Sequence, residues 1–458
     1  MPRSLLSALA LLAAALPAVA LEATGGWRAD GTGSFPAAKP PTTWGTDSNV
    51  VWKTKLPNWS NASPIITGDR IFVCAEPTTL ICLALKDGAI LWQKTNAYAD
   101  LVPPDQQERA REDEKKTIEL DAKVRGLDGK LRDKSAKLAK AADPDKAALQ
   151  TEIDALRAEL EPLKAELAPI GNKYLLPPTQ PVNGYSSPTP VSDGKYVYVL
   201  FGTGVVACYD MDGNRQWARV VEKPTNGWGH SASPLLVGDR LIVQVLSLWG
   251  LDKATGSTVW QTPSEPRWGT PVQARVGSND VAVTPAGDIV QAADGKVLAR
   301  KLSGLDYCAP LVVGRTVYFV QNGGKAVQLP EAMGEKFEPA TLWETKPENE
   351  RYYASPVLCD GLLYAATRKQ AYSVIDATNG SVVCTTNLAL GGEVYTSITR
   401  AGPYIYVSSD KGTTVVFQPG RELKEIARNR LEEFRSTPLF VGERMYVRGR
   451  EYFYCIGK

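Results

Sequence analysis

Apolar and polar positions alternate along most of this chain in short bursts that stop at glycine. The stretch SPLLVGDRLIV, from Ser233, shows the form: a small residue and a proline, an apolar run, a Gly-containing turn, then a second alternating run. Two such runs around a tight turn read as a β-hairpin. Related copies are SPIITGDRIFV from Ser63, TPVSDGKYVYV from Thr189, APLVVGRTVYFV from Ala309, SPVLCDGLLYAA from Ser355 and TPLFVGERMYV from Thr437. Weaker copies start at Thr270 and Ser397. A second hairpin follows each, with a Gly turn shortly before a tryptophan: ICLALKDGAILW ends at Trp92, VACYDMDGNRQW at Trp217 and GLDKATGSTVW at Trp260. SVIDATNGSVVC puts Cys384 in the tryptophan slot. Each unit therefore holds four strands.

The prolines that open the units are 64, 188, 234, 271, 310, 356 and 438, with Ile398 in that position in the seventh unit. Four-stranded repeats of roughly 40–50 residues are blades of a β-propeller. Eight units fit, and the one long step, from Pro64 to Pro188, implies an insertion. The last unit stops at YFYCIGK without a tryptophan strand, while NVVWKTKLP, from Asn49, is a tryptophan strand with no hairpin before it. An N-terminal strand that completes the last blade joins the two ends and removes two exposed edges. The expectation is an all-β, eight-bladed propeller of four-stranded blades. It is closed by its N-terminal strand, with residues 49–100 as closing strand and blade 1 and residues 178–458 as blades 2–8.

Between them the period changes. Over residues 105–170, Leu120, Val124, Leu127, Leu131 and Leu138 form one heptad seam, and Leu149, Ile153, Leu156, Leu160, Leu163 and Leu167 form a second. Asp143-Pro144 breaks the pattern, with proline suited to a helix start. Folding back there pairs Leu138 with Leu149, Leu131 with Leu156, Leu127 with Leu160, Val124 with Leu163 and Leu120 with Leu167. Residues 101–177 are thus expected to be an α-helical antiparallel coiled-coil hairpin inserted in or after blade 1. Its outer faces carry both charge signs, as in QQERAREDEKK, which suits docking to a polar protein partner and not membrane insertion.

Residues 1–20 are a separate object. Arg3, an apolar run from Leu5 to Leu16, and Ala18-Val19-Ala20 form a secretory signal that is expected to be cleaved after Ala20. The run is too short to span a bilayer. No cysteine precedes Cys74, which excludes a lipid-attached N-terminal cysteine. The expected location is outside the cytoplasm, periplasmic or secreted, in a bacterium, with residues 21–48 as a lead-in. The net charge of +2 gives no electrostatic case for nucleic acid. The seven cysteines form no CxxC and cannot all pair internally; most sit in strand-like apolar runs.

The unit of small residue, proline, hairpin and D-x-x-T-G-x-x-x-W resembles the WD-like repeat of quinoprotein-type propellers. These are the PQQ-dependent alcohol dehydrogenases and cofactor-free, BamB-type relatives. The lead-in GGWRADGTGSFP and the strand WKTKLP resemble exported PQQ-like repeat proteins. The resemblance implies the fold strongly and the function weakly. In the dehydrogenases the quinone lies between a tryptophan floor and a lid of two adjacent, disulfide-bonded cysteines, beside calcium. This chain has no adjacent cysteine pair. Nucleophile elbows, HExxH and phosphate loops are also absent.

Candidate ligand-binding residues come from the slot three positions before each opening proline, where the chain enters the innermost strand at one mouth of the channel. It holds Tyr185, Trp268, Tyr307, Tyr353 and Tyr395, with Arg435 in the last blade and Trp59 close by in the first. Concave sites mix apolar walls with a few polar anchors, and arginines there suit an anion. His230, the only histidine, lies on the entry to the third blade and is a further candidate at the mouth; alone in its blade, it lacks partners for a zinc site. No catalytic residue, metal ligand or cofactor is expected. The leading expectation is a non-enzymatic protein-interaction scaffold, with the coiled-coil arm and propeller face as docking surfaces and a small or peptide ligand at the mouth. The alternative is a PQQ-dependent dehydrogenase with calcium, or another channel-mouth enzyme.

Overall fold

A computed structural model describes residues 25–458; the signal-peptide assignment lies outside the described residues. Among the described residues the chain forms eight sheets, seven of four strands and one of five. Blade 1 is built from Ile65–Thr67, Arg70–Ala75, Thr79–Ala84 and Ile90–Thr95, in that order outward. Blade 8 takes three strands from the C-terminus and its outermost from Val50–Lys55, with Trp52 opposite Cys455. This is the expected closure. Strand burial follows from the stacking. The second and third strands of a blade are covered on both faces by neighbouring blades, so RIFVCA and VVACYD are buried and free of charge except at one end, Arg70 and Asp210. The outermost strands face solvent on one side and alternate, as in VVWKTK.

Tryptophans dock blades 1, 2, 3, 5 and 8 onto the next. The Nε1 of Trp92, Trp217, Trp260 and Trp343 each donates to a carbonyl in the following blade's turn, at 2.8–3.0 Å. The ring lies on that turn's glycine: a Cβ on Gly256 would stand 2.5 Å from Trp217, and one on Gly88 would stand 2.4 Å from Trp52. These glycines have positive φ as well, so the residue type is doubly required.

The lead-in does more than link. Gly25 accepts from Ser192 in blade 2. Arg28 reaches the Pro356 and Ile398 carbonyls of blades 6 and 7 at 2.7 and 2.8 Å. Ser34–Phe35 then pairs parallel with Thr399–Ala401, giving blade 7 a fifth, inner strand inside the channel. Trp44 is buried in the cluster shared by blades 7 and 8, stacked on Tyr406. Blade 7 carries no tryptophan of its own, and the lead-in supplies one at that seam.

Helices α1 (Gln107–Leu138) and α2 (Asp145–Tyr174) form the hairpin between blades 1 and 2. Val124, Leu127 and Leu160 are buried with Leu131, Leu156, Leu163 and Leu167 around them, the residues the two seams bring together. Lys116–Glu166 and Lys164–Asp128, at 2.7 and 3.2 Å, fix the antiparallel register. The base is not independent of the blades. Glu114 accepts from the Tyr98 and Ala99 amides, and Tyr98, Ala110 and Tyr174 pack on Val205 of blade 2. Lys223 of blade 2 donates to Leu175 O, 3.0 Å away, at the end of α2. Among the described residues no helix is long and apolar enough to cross a membrane.

Candidate functional site at the channel mouth

The small residues before the opening prolines form a hydrogen-bonded collar. Each backbone N–H donates to the hydroxyl of the next blade: Ser63 to Thr189, Thr189 to Ser233, Ser233 to Thr270, Ala309 to Ser355, Ser355 to Ser397, Ser397 to Thr437, and Thr437 back to Ser63. Distances are 2.9–3.2 Å. Only the link from Thr270 is missing, because Ala309 has no hydroxyl.

The collar corrects the sequence frame in blade 2. Thr189 is the collar residue, so Pro190 and not Pro188 opens that blade. The rim slot there becomes Ser187, and Tyr185 leaves the ring. Tyr185 turns away from the channel, donating its hydroxyl to Pro177 O at 2.8 Å, while its amide donates to Glu76. TPTP offers two prolines in sequence; Pro190 stands four residues before Gly194, as Pro64 does before Gly68 and Pro234 before Gly238, so the turn spacing agrees with the hydroxyl register.

The rim is therefore Asn61, Ser187, Ser231, Trp268, Tyr307, Tyr353, Tyr395 and Arg435, all lining one cavity of about 320 Å³. Four adjacent blades make an aromatic arc. Trp268 stacks on Tyr307 at 5.3 Å, Tyr307 meets Tyr353 edge-on at 4.8 Å, and Tyr353 stacks on Tyr395 at 4.7 Å. Arg435 ends the arc, its guanidinium 4.0 Å from the Tyr395 ring centre and paired with Asp410 at 3.3 Å. The opposite half is polar and partly covered by the chain returning from α2. Val182 O accepts from Asn61 and Arg435, and Asn183 donates to Trp228 O. Val182 and Trp228 are exposed at the rim. Trp27 lines the same cavity from the lead-in side. Sequence reasoning placed Trp228 only slightly before the rim slot of its blade, and it missed Trp27 and this covering segment, which no repeat signals.

Two other candidates fall outside the cavity. Trp59 lies near Arg450, 5.8 Å from its ring centre. His230 is buried, its Nε2 3.2 Å from Ala232 O, and burial lowers its pKa to about 4. It is a neutral imidazole inside the blade.

The lining contains no Asp or Glu. The acids nearby are engaged: Asp306 with Arg267, and Glu350 and Glu393 with Arg368. Calcium takes carboxylate and carbonyl oxygens in numbers, so the residues here do not fit a quinone held beside calcium. Among the described residues no group of His, Cys, Asp and Glu could hold a metal ion. The seven cysteines are free and six are buried. Burial pushes Cys359 up to about 11 and Cys82, Cys208 and Cys308 up to about 12, which leaves them unreactive thiols.

An eight-bladed ring closed by its N-terminal strand, with tryptophan docking between blades, defines a PQQ-like propeller repeat protein. The chain belongs to the family whose model is described as outer membrane protein assembly factor BamB, which matches residues 42–141 and 176–367. Among solved structures it is similar to BamB from Moraxella catarrhalis, with 12% identity, 89% of this chain and 97% of that chain covered, and a TM-score of 0.57. It is also similar to the quinohemoprotein alcohol dehydrogenase ADHIIG from Pseudomonas putida HK5, at 10% identity, 95% and 76% coverage and a TM-score of 0.50. A quinohemoprotein alcohol dehydrogenase from Comamonas testosteroni gives 9%, 89% and 76%, and 0.50. At these identities the likeness carries the fold alone. No curated protein sequence matches the chain.

Proposed function

We propose that this protein is an exported, non-enzymatic scaffold, periplasmic or secreted, that docks envelope proteins through its helical hairpin and binds a ligand at the channel mouth. The observation that carries the reading is the hairpin. It buries one stripe of α1, from Ala110 to Leu127, against its partner helix and the blade, and leaves its other faces exposed and charged. Ring closure does not need it, since the seam is made by Val50–Lys55. The family description, an assembly factor for outer membrane proteins, agrees with such a role. The runner-up, a PQQ-dependent dehydrogenase, shares the fold but lacks acidic donors at the mouth.

Replacing residues 121–166 with a short Gly-Ser turn keeps the anchored base and removes the arm. Pull-downs from native envelope extract with the parent and this variant should differ by at least one partner. Recovery of the same partners by both sinks the docking role. Robust dye-linked alcohol oxidation after loading with PQQ and calcium would establish the runner-up instead.

A further inference from the structure

The collar hydroxyls have an unused half. Each of the seven accepts one backbone N–H, and among the described hydrogen bonds none of them donates. All seven are buried and all line the mouth cavity. A buried O–H without an acceptor is costly, so the floor of the cavity is a ring of donors waiting for acceptors. The lining contains no carboxylate to compete for them.

The positive charge around the floor is uneven. Arg28 lies one residue deeper than the collar in blades 6 and 7, bonded to the carbonyls that follow Ser355 and Ser397. It is buried, its Nε and Nη1 have no partner among the described residues, and it forms no ion pair among them. Arg28 lies behind the lining, whereas Arg351, near the rim of blade 6, lines the cavity without an ion pair among the described residues. Tyr353 and Tyr395 are stacked face to face in the same lining, and the Arg351 guanidinium lies 6.0 Å from the Tyr307 ring centre. Ala309, the one collar position without a hydroxyl, makes the floor apolar beneath Tyr307.

We infer that the mouth binds a carboxylate carrying a flat or apolar group. The carboxylate accepts from Ser355 and Ser397 over Arg28, and the attached group lies against the Tyr307–Tyr353–Tyr395 arc. One unpaired guanidinium in the lining, Arg351, with Arg435 already neutralised by Asp410, and neutral hydroxyls suit a monoanion more than a phosphate dianion. The same chemistry is offered by a free organic acid and by the C-terminal carboxylate of a peptide. This rests on the mouth being a ligand site, and it is independent of the hairpin.

The test is calorimetric titration of the full mature chain with N-acetyl-phenylalanine, its neutral amide, benzoate and inorganic phosphate. The acids should bind, and the amide and phosphate should bind at least about tenfold more weakly, as expected for loss of charge-assisted hydrogen bonds. Ser397→Ala should weaken the acids by about tenfold and Ser397→Thr should restore them, with melting temperature followed for both. Arg351→Gln, at an exposed position, should weaken the acids and spare the amide. Benzoate as tight as N-acetyl-phenylalanine points to a free small acid; a much tighter N-acetyl-phenylalanine points to a chain terminus. Equal binding of acid and amide overturns the proposal, as does no binding of any acid at millimolar concentration. Neither result touches the hairpin pull-down, so the two readings fail separately.

Discussion

His230 illustrates how a residue's role is set by its surroundings. It sits at the mouth in sequence, yet its ring is buried and its Nε2 meets a backbone carbonyl two residues on. Burial holds its pKa at about 4, against an ordinary 6.5. Above pH 6.5 it is neutral in folded and unfolded chains alike. As pH falls below 6.5 the unfolded chain takes up a proton that the folded one refuses, and stability drops until pH reaches about 4. The full effect is about 3 kcal/mol. Urea unfolding across this range should therefore show a steeper loss for the parent than for His230→Gln, and parallel profiles would refute the neutral buried imidazole. The same scale shows what sequence leaves ambiguous. Trp268, Tyr307, Tyr353 and Tyr395 were legible because their slot precedes an unambiguous proline or its aligned isoleucine. Tyr185 was misplaced because Pro188 was counted as the opening proline, although Pro190 keeps the four-residue spacing to the turn glycine and follows the collar hydroxyl of Thr189.

At the scale of elements, the hairpin was the most legible part of the chain. Two seams that match layer for layer define both helices and the turn, and the buried set around Val124, Leu127 and Leu160 is the one they specify. The attachment of the base was not legible, because Glu114 and Lys223 look like any surface charge until Tyr98 and Val205 are brought beside them. That attachment changes where the arm can be cut. Replacing residues 121–166 should leave the melting temperature of the propeller within a degree or two of the parent, since the removed leucines bury mainly one another. Replacing residues 101–177 should lower it by several degrees, because it uncovers Tyr98 and Val205 and removes the Leu175 carbonyl that Lys223 holds. Equal melting of all three chains would mean that the base contributes nothing to blade 2.

For the whole molecule, the question is whether a ring assembled from unequal blades has a weak seam. Blades 4, 6 and 7 lack the docking tryptophan, and the repeat signal is weakest in blades 4 and 7. The lead-in compensates at one of these seams, placing Trp44 between blades 7 and 8 and a strand along the inside of blade 7. Nothing in its sequence repeats, which is why its path was invisible beforehand. The closing seam between blades 8 and 1 is built like an internal one. Trp52 packs on Phe453 at 5.8 Å and against Gly88 of blade 1, and Thr54 donates to Gly88 O at 2.7 Å. The internal seam from blade 2 to blade 3 seats Trp217 on Gly256 in the same way, and adds the Trp217 Nε1 bond to Lys253 O, a bond that Trp52 Nε1 lacks among the described residues. A closed ring should be indifferent to which of these seams carries the chain ends. Trp52→Ala and Trp217→Ala should then each cost about 3 kcal/mol by chemical unfolding, the usual scale for truncating a core aromatic. Deletion of residues 49–53 should cost more, because it also leaves Tyr452–Ile456 as an unpaired edge open to aggregation. If Trp52→Ala is tolerated while Trp217→Ala is not, the ring is held by its internal seams alone and the N-terminal strand only decorates its last blade.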